Sequence, residues 1–330
     1  MILVTGATGH IGNVLCRKLI EKGEKVRALI WRGEDTRPLQ GLDLETVEGD
    51  VLDPQSLKPA FEGIKTVFHL AGIISIMPGE NTLVRRVNVE GTRNILKAAM
   101  SAGIERLIYT SSIHAIRRIP HGKVVDETQP FELDNPYGAY DCSKAEASLE
   151  VLKATAKGLD AVIVCPTGVI GPYDFRRSEL GEVIRGAAEA KPTFYVEGAY
   201  DFVDVRDVVD GLLLAAKKGR RGESYILGGN RISVRYLIET VREVTGKAFA
   251  SIKIPFSLAE FLAKFTPWYY RRAKVKPRFT PYSLEVLQSN SNISHNKAER
   301  ELGYRSRPAY ETIADTVRWF INNRKLKSAA

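Results

Sequence analysis

The chain is 330 residues long, 44% apolar and 26% charged, with 27 Gly and 15 Pro. That composition excludes low complexity and wholesale disorder and allows one large or two modest cores. A net charge of +9 would suggest nucleic acid if spread evenly, but residues 1–250 hold 33 Lys+Arg against 33 Asp+Glu while residues 251–330 hold 15 against 6.

Over the first 165 residues, short β-branched runs alternate with longer helical patterns. Strands are predicted at Ile2–Thr5, Lys25–Trp31, Glu45–Glu48, Thr66–Leu70, Arg106–Thr110 and Ala161–Cys165. Helices are predicted at His10–Lys22, Pro54–Phe61, Leu83–Ser101 and Ala139–Lys157. A helix near Val205–Lys217 and a strand at Ser224–Leu227 are expected to return to the same sheet. Such alternation argues for an α/β fold, a doubly wound parallel sheet with helices on both faces.

Cys16, Cys142 and Cys165 lie far apart in apolar-periodic segments, which reads as reduced core thiols in an intracellular protein. No CxxC, HxxxH or HExxH occurs, so no structural metal is expected. No apolar run approaches the ~18 residues of a membrane span, and no secretion signal precedes the first strand. A cytoplasmic protein without an integral membrane segment is therefore expected, and the sequon at Asn292 is read as chance.

The loop Thr5-Gly-Ala-Thr-Gly-His-Ile-Gly12 joins the first strand to the first helix. Glycines let the chain turn tightly and let backbone N–H groups approach a pyrophosphate, which the helix N-terminus also attracts. Thr5, Gly6, Gly9, His10, Ile11 and Gly12 are thus candidate dinucleotide-binding residues, although three glycines can simply mark a tight turn. The second strand ends at Trp31-Arg32, where NAD sites place an acid for the ribose hydroxyls. Arg32 suits a 2′-phosphate and Trp31 an adenine, favouring NADP over NAD, unless Arg32 is a solvated turn residue. Asp50 and Val51 follow the third strand; Asp50 suits the adenine amino group or, equally, a turn or cap before Pro54.

Tyr140 and Lys144 lie four residues apart on a predicted helix, hence on one face. A phenol titrates near pH ~10, so a tyrosine base at neutral pH needs roughly 3 units of help, which an ammonium and a cationic nicotinamide can supply. Tyr137 competes, but its partner one turn on is Asp141, which disfavours ionisation. Ser112, in Tyr109-Thr-Ser-Ser112 at the end of the fifth strand, is the candidate hydroxyl donor to a carbonyl oxygen, or else a turn former.

Together, TGATGHIG, Thr110–Ser112, Tyr140–Lys144, Asn88–Asn94, Pro166–Pro172, Phe202–Asp207 and Lys297–Tyr304 resemble the extended short-chain dehydrogenase/reductases, the NAD-dependent epimerase/dehydratase superfamily. The resemblance spans essentially the whole chain. It implies a Rossmann-type sheet over residues 1–170 plus about 207–230, and a smaller substrate lobe over about 171–206 plus 231–330. It further implies Ser112, Tyr140 and Lys144 as the catalytic triad, with Lys144 also on the nicotinamide ribose. His69, Leu70, Ala71 and Gly72 would line the cofactor, and Pro166, Thr167, Gly168 and Val169 would border the nicotinamide.

Two departures bear on substrate. Ile113-His114-Ala115 stands where 4,6-dehydratases show an acidic pair, and Gly198-Ala-Tyr200 stands where sugar-nucleotide enzymes tend to carry an arginine. The chain is more similar to dihydroflavonol-4-reductase-like and 3β-hydroxysteroid dehydrogenase-like members. That implies an oxidoreductase acting on a ketone or secondary alcohol of a bulky non-nucleotide small molecule, in a homodimer built on two long helices. A sugar or sugar-nucleotide epimerase with the same triad is the alternative, and a non-catalytic dinucleotide sensor a third. Ile74 and His114 are the substrate-side candidates. Within Phe256–Tyr282, Lys264, Arg271, Arg272, Lys274, Lys276 and Arg278 stand among aromatic residues, which reads as a solvated basic face, a lid or a membrane-surface patch.

Overall fold

Strand β1 (Ile2–Thr5) is followed by α1 (His10–Glu21), β2 (Val26–Ile30), β3 (Glu45–Glu48), α2 (Pro54–Phe61) and β4 (Thr66–His69). Next come α3 (Thr82–Arg85), a π-helical turn at Arg86–Glu90, α4 (Gly91–Ala102), β5 (Arg106–Thr110), α5 (Ala139–Ala156) and β6 (Ala161–Pro166). This computed structural model describes residues 1–134, 138–189, 192–247, 250–273 and 279–323. Tyr137 and the basic residues Lys274, Lys276 and Arg278 lie outside the described residues.

The second half begins with β7 (Gly168–Ile170), α6 (Glu179–Ala188), β8 (Thr193–Tyr195), β9 (Ala199–Asp204), α7 (Val205–Lys218) and β10 (Ser224–Leu227). It continues through β11 (Asn230–Ser233), α8 (Val234–Thr245), β12 (Ser251–Lys253), α9 (Phe256–Ala263), α10 (Thr266–Ala273), α11 (Pro281–Gln288), α12 (Asn296–Leu302) and α13 (Ala309–Asn322).

Seven strands form one parallel sheet in the order β10-β6-β5-β4-β1-β2-β3. Its strands alternate between two apolar cores: Leu3, Val67, Leu107 and Ile163 face one side, and Val4, Phe68, Ile108 and Val164 the other. Both faces are therefore dry, as an all-parallel sheet covered by helices requires. Truncating a fully buried residue such as Leu107 to Ala would cost about 2–5 kcal/mol. Chain order reverses between β1 and β4, the point where open α/β sheets carry a ligand crevice at the carboxyl ends of their strands.

Two features depart from the expected layout. The helix expected at Leu83–Ser101 is interrupted by the π-helical turn, from which Asn88 reaches Ile73 and Ser143. The segment from Asn296 to Tyr304, expected in the lobe, returns to the main sheet: α12 packs on α7 and β10, and the Tyr304 hydroxyl donates to Gly228 O at 2.8 Å. A second sheet, in the order β11-β9-β7, and the pair β12-β8 lie outside the seven-stranded sheet.

Candidate active site

The glycine loop is built for close approach. Gly6 has φ +67°, and a Cβ there would lie 2.7 Å from Ala71 N; a Cβ on Gly12 would lie 2.1 Å from Gly6 O. Gly9 caps α1 without any side-chain acceptor, so the first-turn N–H groups point over the loop. Behind the loop, the Thr5 hydroxyl accepts from Leu70 N–H at 3.2 Å and Ala71 N–H at 3.1 Å, and meets His69 Nδ1 at 2.7 Å. His69 Nε2 reaches Thr92 Oγ1 at 3.0 Å, and that hydroxyl donates to Asn88 O at 2.6 Å. Thr92 must therefore accept from Nε2–H, leaving Nδ1 to accept from Thr5. Burial first, and the Lys144 ammonium second, push the His69 pKa down to about 3, so the ring stays neutral and the tautomer holds. This backing joins β1, β4 and α4 beneath a cradle that fits a dinucleotide pyrophosphate.

Asn88 closes the next loop. Its Oδ1 accepts from Ile73 N–H at 2.8 Å, while its amide donates to Ile73 O at 3.0 Å and Ser143 Oγ at 2.9 Å. The π-helical turn thus ties the chain after β4 to α5. A Cβ on Gly72 would lie 3.0 Å from Asn88 Oδ1 and 3.5 Å from Lys144 Nζ, so the loop runs directly over the lysine.

The two serines ending β5 have different tasks. Ser111 turns inward, its hydroxyl 2.7 Å from that of Ser148, whereas Ser112 caps the short turn Ile113–Ala115 by accepting from His114 N–H at 3.2 Å. Lys144, buried on α5, donates to Thr110 O at 2.8 Å. Burial lowers its pKa to about 8. Burial raises the Tyr140 pKa to about 12; a hydrogen bond with Ser112 opposes the rise, and the Asp141 carboxylate adds to it. Burial and the Asp141 carboxylate therefore keep Tyr140 protonated. The structure thus places Ser112, Tyr140 and Lys144 around one end of β5, facing the glycine loop.

Sequence reasoning missed the wall behind Tyr140. Asp141 is completely buried and accepts from the Tyr282 hydroxyl at 2.7 Å and Arg118 Nη2 at 3.1 Å. Arg118 also pairs with Glu285. His114 lies edge-on to Tyr140 at 6.3 Å between centroids and stacks on Tyr200 at 6.0 Å, its Nε2 3.2 Å from the Tyr200 hydroxyl. Burial lowers the His114 pKa, against the pull of Asp141, so the ring is held neutral. Of the substrate-side candidates, Ser112 and His114 lie beside Tyr140, and Ile74 is exposed on the loop after β4.

At the adenine end, Trp31 is exposed, and Arg32 reaches toward Glu48, 3.9 Å away. A turn through Gly33, φ +81°, folds Glu34 back. Glu34 accepts from Thr8 Oγ1 at 2.6 Å and Trp31 N–H at 3.1 Å, and pairs with Arg176. The Asp50 carboxylate accepts from Leu52 N–H at 2.8 Å in a local turn, while Asp53 caps α2 and Val51 packs under Gly91. His10 Nε2 donates to Pro172 O at 2.9 Å, and Ile11 packs into the core. Pro166 ends β6; Thr167 N–H donates to Leu227 O at 3.3 Å, and Gly168 and Val169 begin β7 against β9. Cys16 and Cys165 are buried with their thiols pushed up to about 12, and Cys142 is half-buried.

Residues 2–228 match the model of the NAD dependent epimerase/dehydratase family, and the chain belongs to that family. It is an enzyme of the extended short-chain dehydrogenase/reductase type. The chain is 37% identical to Sterol demethylase protein B of Methylococcus capsulatus, covering 96% of this chain and 97% of that one. It is 34% identical to a putative dihydroflavonol 4-reductase of Synechocystis, covering 98% and 96%. Among solved structures, gox2253 superposes with a TM-score of 0.86 at 35% identity, over 99% of each chain.

Proposed function

We propose that the protein is an NAD(P)-dependent oxidoreductase that interconverts a ketone and a secondary alcohol on a bulky, largely apolar, non-nucleotide substrate. The observation that supports this reading is the grouping of Ser112, Tyr140 and Lys144 at the end of β5, with Tyr140 hydrogen-bonded to Ser112 and Lys144 to Thr110 O. Tyr140 exchanges the proton with the substrate oxygen, and the Ser112 hydroxyl orients that oxygen. Lys144, anchored on Thr110 O, holds the nicotinamide ribose and stabilises phenolate as it forms. A bound nicotinamide supplies the hydride acceptor or donor and, when oxidised, a positive charge beside the phenol.

The substrate class is supported by Tyr200. It precedes Asp201 at the position where the sequence lacks an arginine for a nucleotide pyrophosphate, and its ring covers His114 instead. The aromatic wall of His114, Tyr200 and Tyr282 suits a flat apolar skeleton. The relatives named as a sterol demethylase component and a dihydroflavonol reductase favour polycyclic skeletons. For the cofactor, Glu34 at the glycine loop supports NAD(H), since a carboxylate accepts from ribose hydroxyls and repels a 2′-phosphate. Arg32 and Arg176 support the second reading, NADP(H).

The enzyme is read as a cytoplasmic homodimer. The helices α4 and α5, which pack side by side, are the surface read as the dimer contact. The reading is tested by incubating the protein with 3-hydroxysteroids, 3-oxosteroids and dihydroflavonols with each cofactor while following nicotinamide absorbance. Net turnover with these and none with sugar nucleotides is expected; epimerised sugar nucleotide without net turnover would replace this reading with the epimerase one.

A further inference from the structure

Helices α9 and α10 turn an apolar row away from the protein. The buried side chains of α9 are Ala259 and Ala263, one turn apart and packed with Val196 and Leu284. On a different face, Leu258, Phe261, Leu262 and Phe265 recur at i, i+3, i+4 and i+7, and all are exposed. α9 ends at Ala263 and α10 begins at Thr266 after a turn in which Phe265 N–H donates to Leu262 O at 3.1 Å, and Trp268 and Tyr269 of α10 are exposed as well. Trp268 is 69% exposed and Phe265 58%. Lys264, Arg271 and Arg272 are exposed on the same segment, whose only acidic residue is Glu260. In the neighbouring β12-β8 pair, Ile252 and Phe194 are register partners and are likewise exposed.

We propose that α9–α10 is a monotopic contact with an anionic lipid surface. The apolar row would enter the headgroup–acyl boundary, with Trp268 and Tyr269 at headgroup level and Lys264, Arg271 and Arg272 against lipid phosphates. A water-facing row of this size has no role in a monomer's own core. Charge selects the occupant: a second copy docked on this row would bring like-charged Lys264, Arg271 and Arg272 together, whereas anionic headgroups neutralise them. The chain's whole +9 excess lies in residues 251–330, on this side of the sequence.

The row also leads to the active site. Just beyond α10, the Thr280 hydroxyl donates to Ile76 O at 2.8 Å and the Tyr282 hydroxyl to Asp141. Contact at α9–α10 would therefore set the site wall beside a membrane, from which an apolar substrate can enter. That consequence rests on the function proposed above; the lipid contact itself does not.

The test is flotation of the full chain, without cofactor or substrate, on vesicles of phosphatidylcholine alone or with about one-third phosphatidylglycerol. Expected is at least about ten-fold more binding to the anionic vesicles, weakened by salt. Phe265→Glu/Trp268→Glu should abolish binding, and Arg271→Gln/Arg272→Gln should weaken it several-fold, with nicotinamide turnover retained by both. The proposal is overturned if the unsubstituted protein ignores both vesicles or if Phe265→Glu/Trp268→Glu floats as well as it does. It is equally overturned if that variant only converts a dimer to monomers. Vesicle binding by a protein that turns over no cofactor would instead count against the proposed function alone.

Discussion

The Thr8 hydroxyl donates to Glu34 Oε1 at 2.6 Å, tying the glycine loop to the turn after β2. Glu34 thereby stands beside the glycine loop, three residues after Trp31. Glu34→Gln should relax the repulsion of a 2′-phosphate and shift the ratio of kcat/KM for NADP(H) over NAD(H) upward by about ten-fold. Arg32→Ala should leave kcat/KM for NAD(H) within about two-fold. Steady-state kinetics with both cofactors checks this; an unchanged ratio in Glu34→Gln would remove Glu34 from cofactor choice.

Asp141 is the buried charge nearest Tyr140 in sequence, and it raises the phenol's pKa. Asp141→Asn should therefore move the pH–rate profile for alcohol oxidation to lower pH, by up to about one unit. Arg118→Leu leaves that carboxylate buried without a main partner and should cost about 3–5 kcal/mol in urea unfolding. A loss below about 1 kcal/mol would mean that Tyr282 alone suffices to hold Asp141.

His69 is buried and neutral, with its pKa held near about 3. Below the ordinary imidazole value of about 6.5 the unfolded chain takes up a proton that the folded chain refuses. Stability should therefore fall as pH drops through the window from about 6.5 to about 3, by about 1.4 kcal/mol per unit for this group. His69→Gln should be less stable at pH 7 yet lose less on acidification. Parallel stability–pH curves for the two proteins would contradict the buried neutral ring.

Gly12 must lack a side chain, because its Cβ would lie 2.1 Å from Gly6 O. Gly12→Ala should weaken dinucleotide binding by well over ten-fold, measured by isothermal titration calorimetry, while Gly186→Ala, on α6 with open space around its Cβ position, should not. Equal affinities for the two variants would show that the loop is not the cradle.

What could be read from the sequence was local. The strand–glycine–helix junction and the Tyr140–Lys144 spacing each need only neighbouring residues, and the fold placed them together. The wall behind Tyr140 was not legible, because Tyr282 reaches Asp141 from 141 positions away and Arg118 from 23. The place of Glu34 beside Thr8 was not legible either; the signal was Gly33, whose positive φ turns the chain back toward Thr8. The Asn88 motif resembled a family signature, and its physical reason, a clamp made possible by a π-helical turn, follows no simple sequence period. Beyond β6 the chain leaves simple strand–helix alternation, so the short strands β7, β8 and β12 escaped notice.

The central claim is that Tyr140 exchanges the proton during net hydride transfer. It is tested most directly by following nicotinamide absorbance with a 3-hydroxysteroid or 3-oxosteroid for the unsubstituted enzyme and for Tyr140→Phe. The account predicts net turnover that falls by about 10²–10⁴-fold in the variant while cofactor Kd stays within about two-fold. A Tyr140→Phe enzyme that turns over at the unsubstituted rate would contradict it.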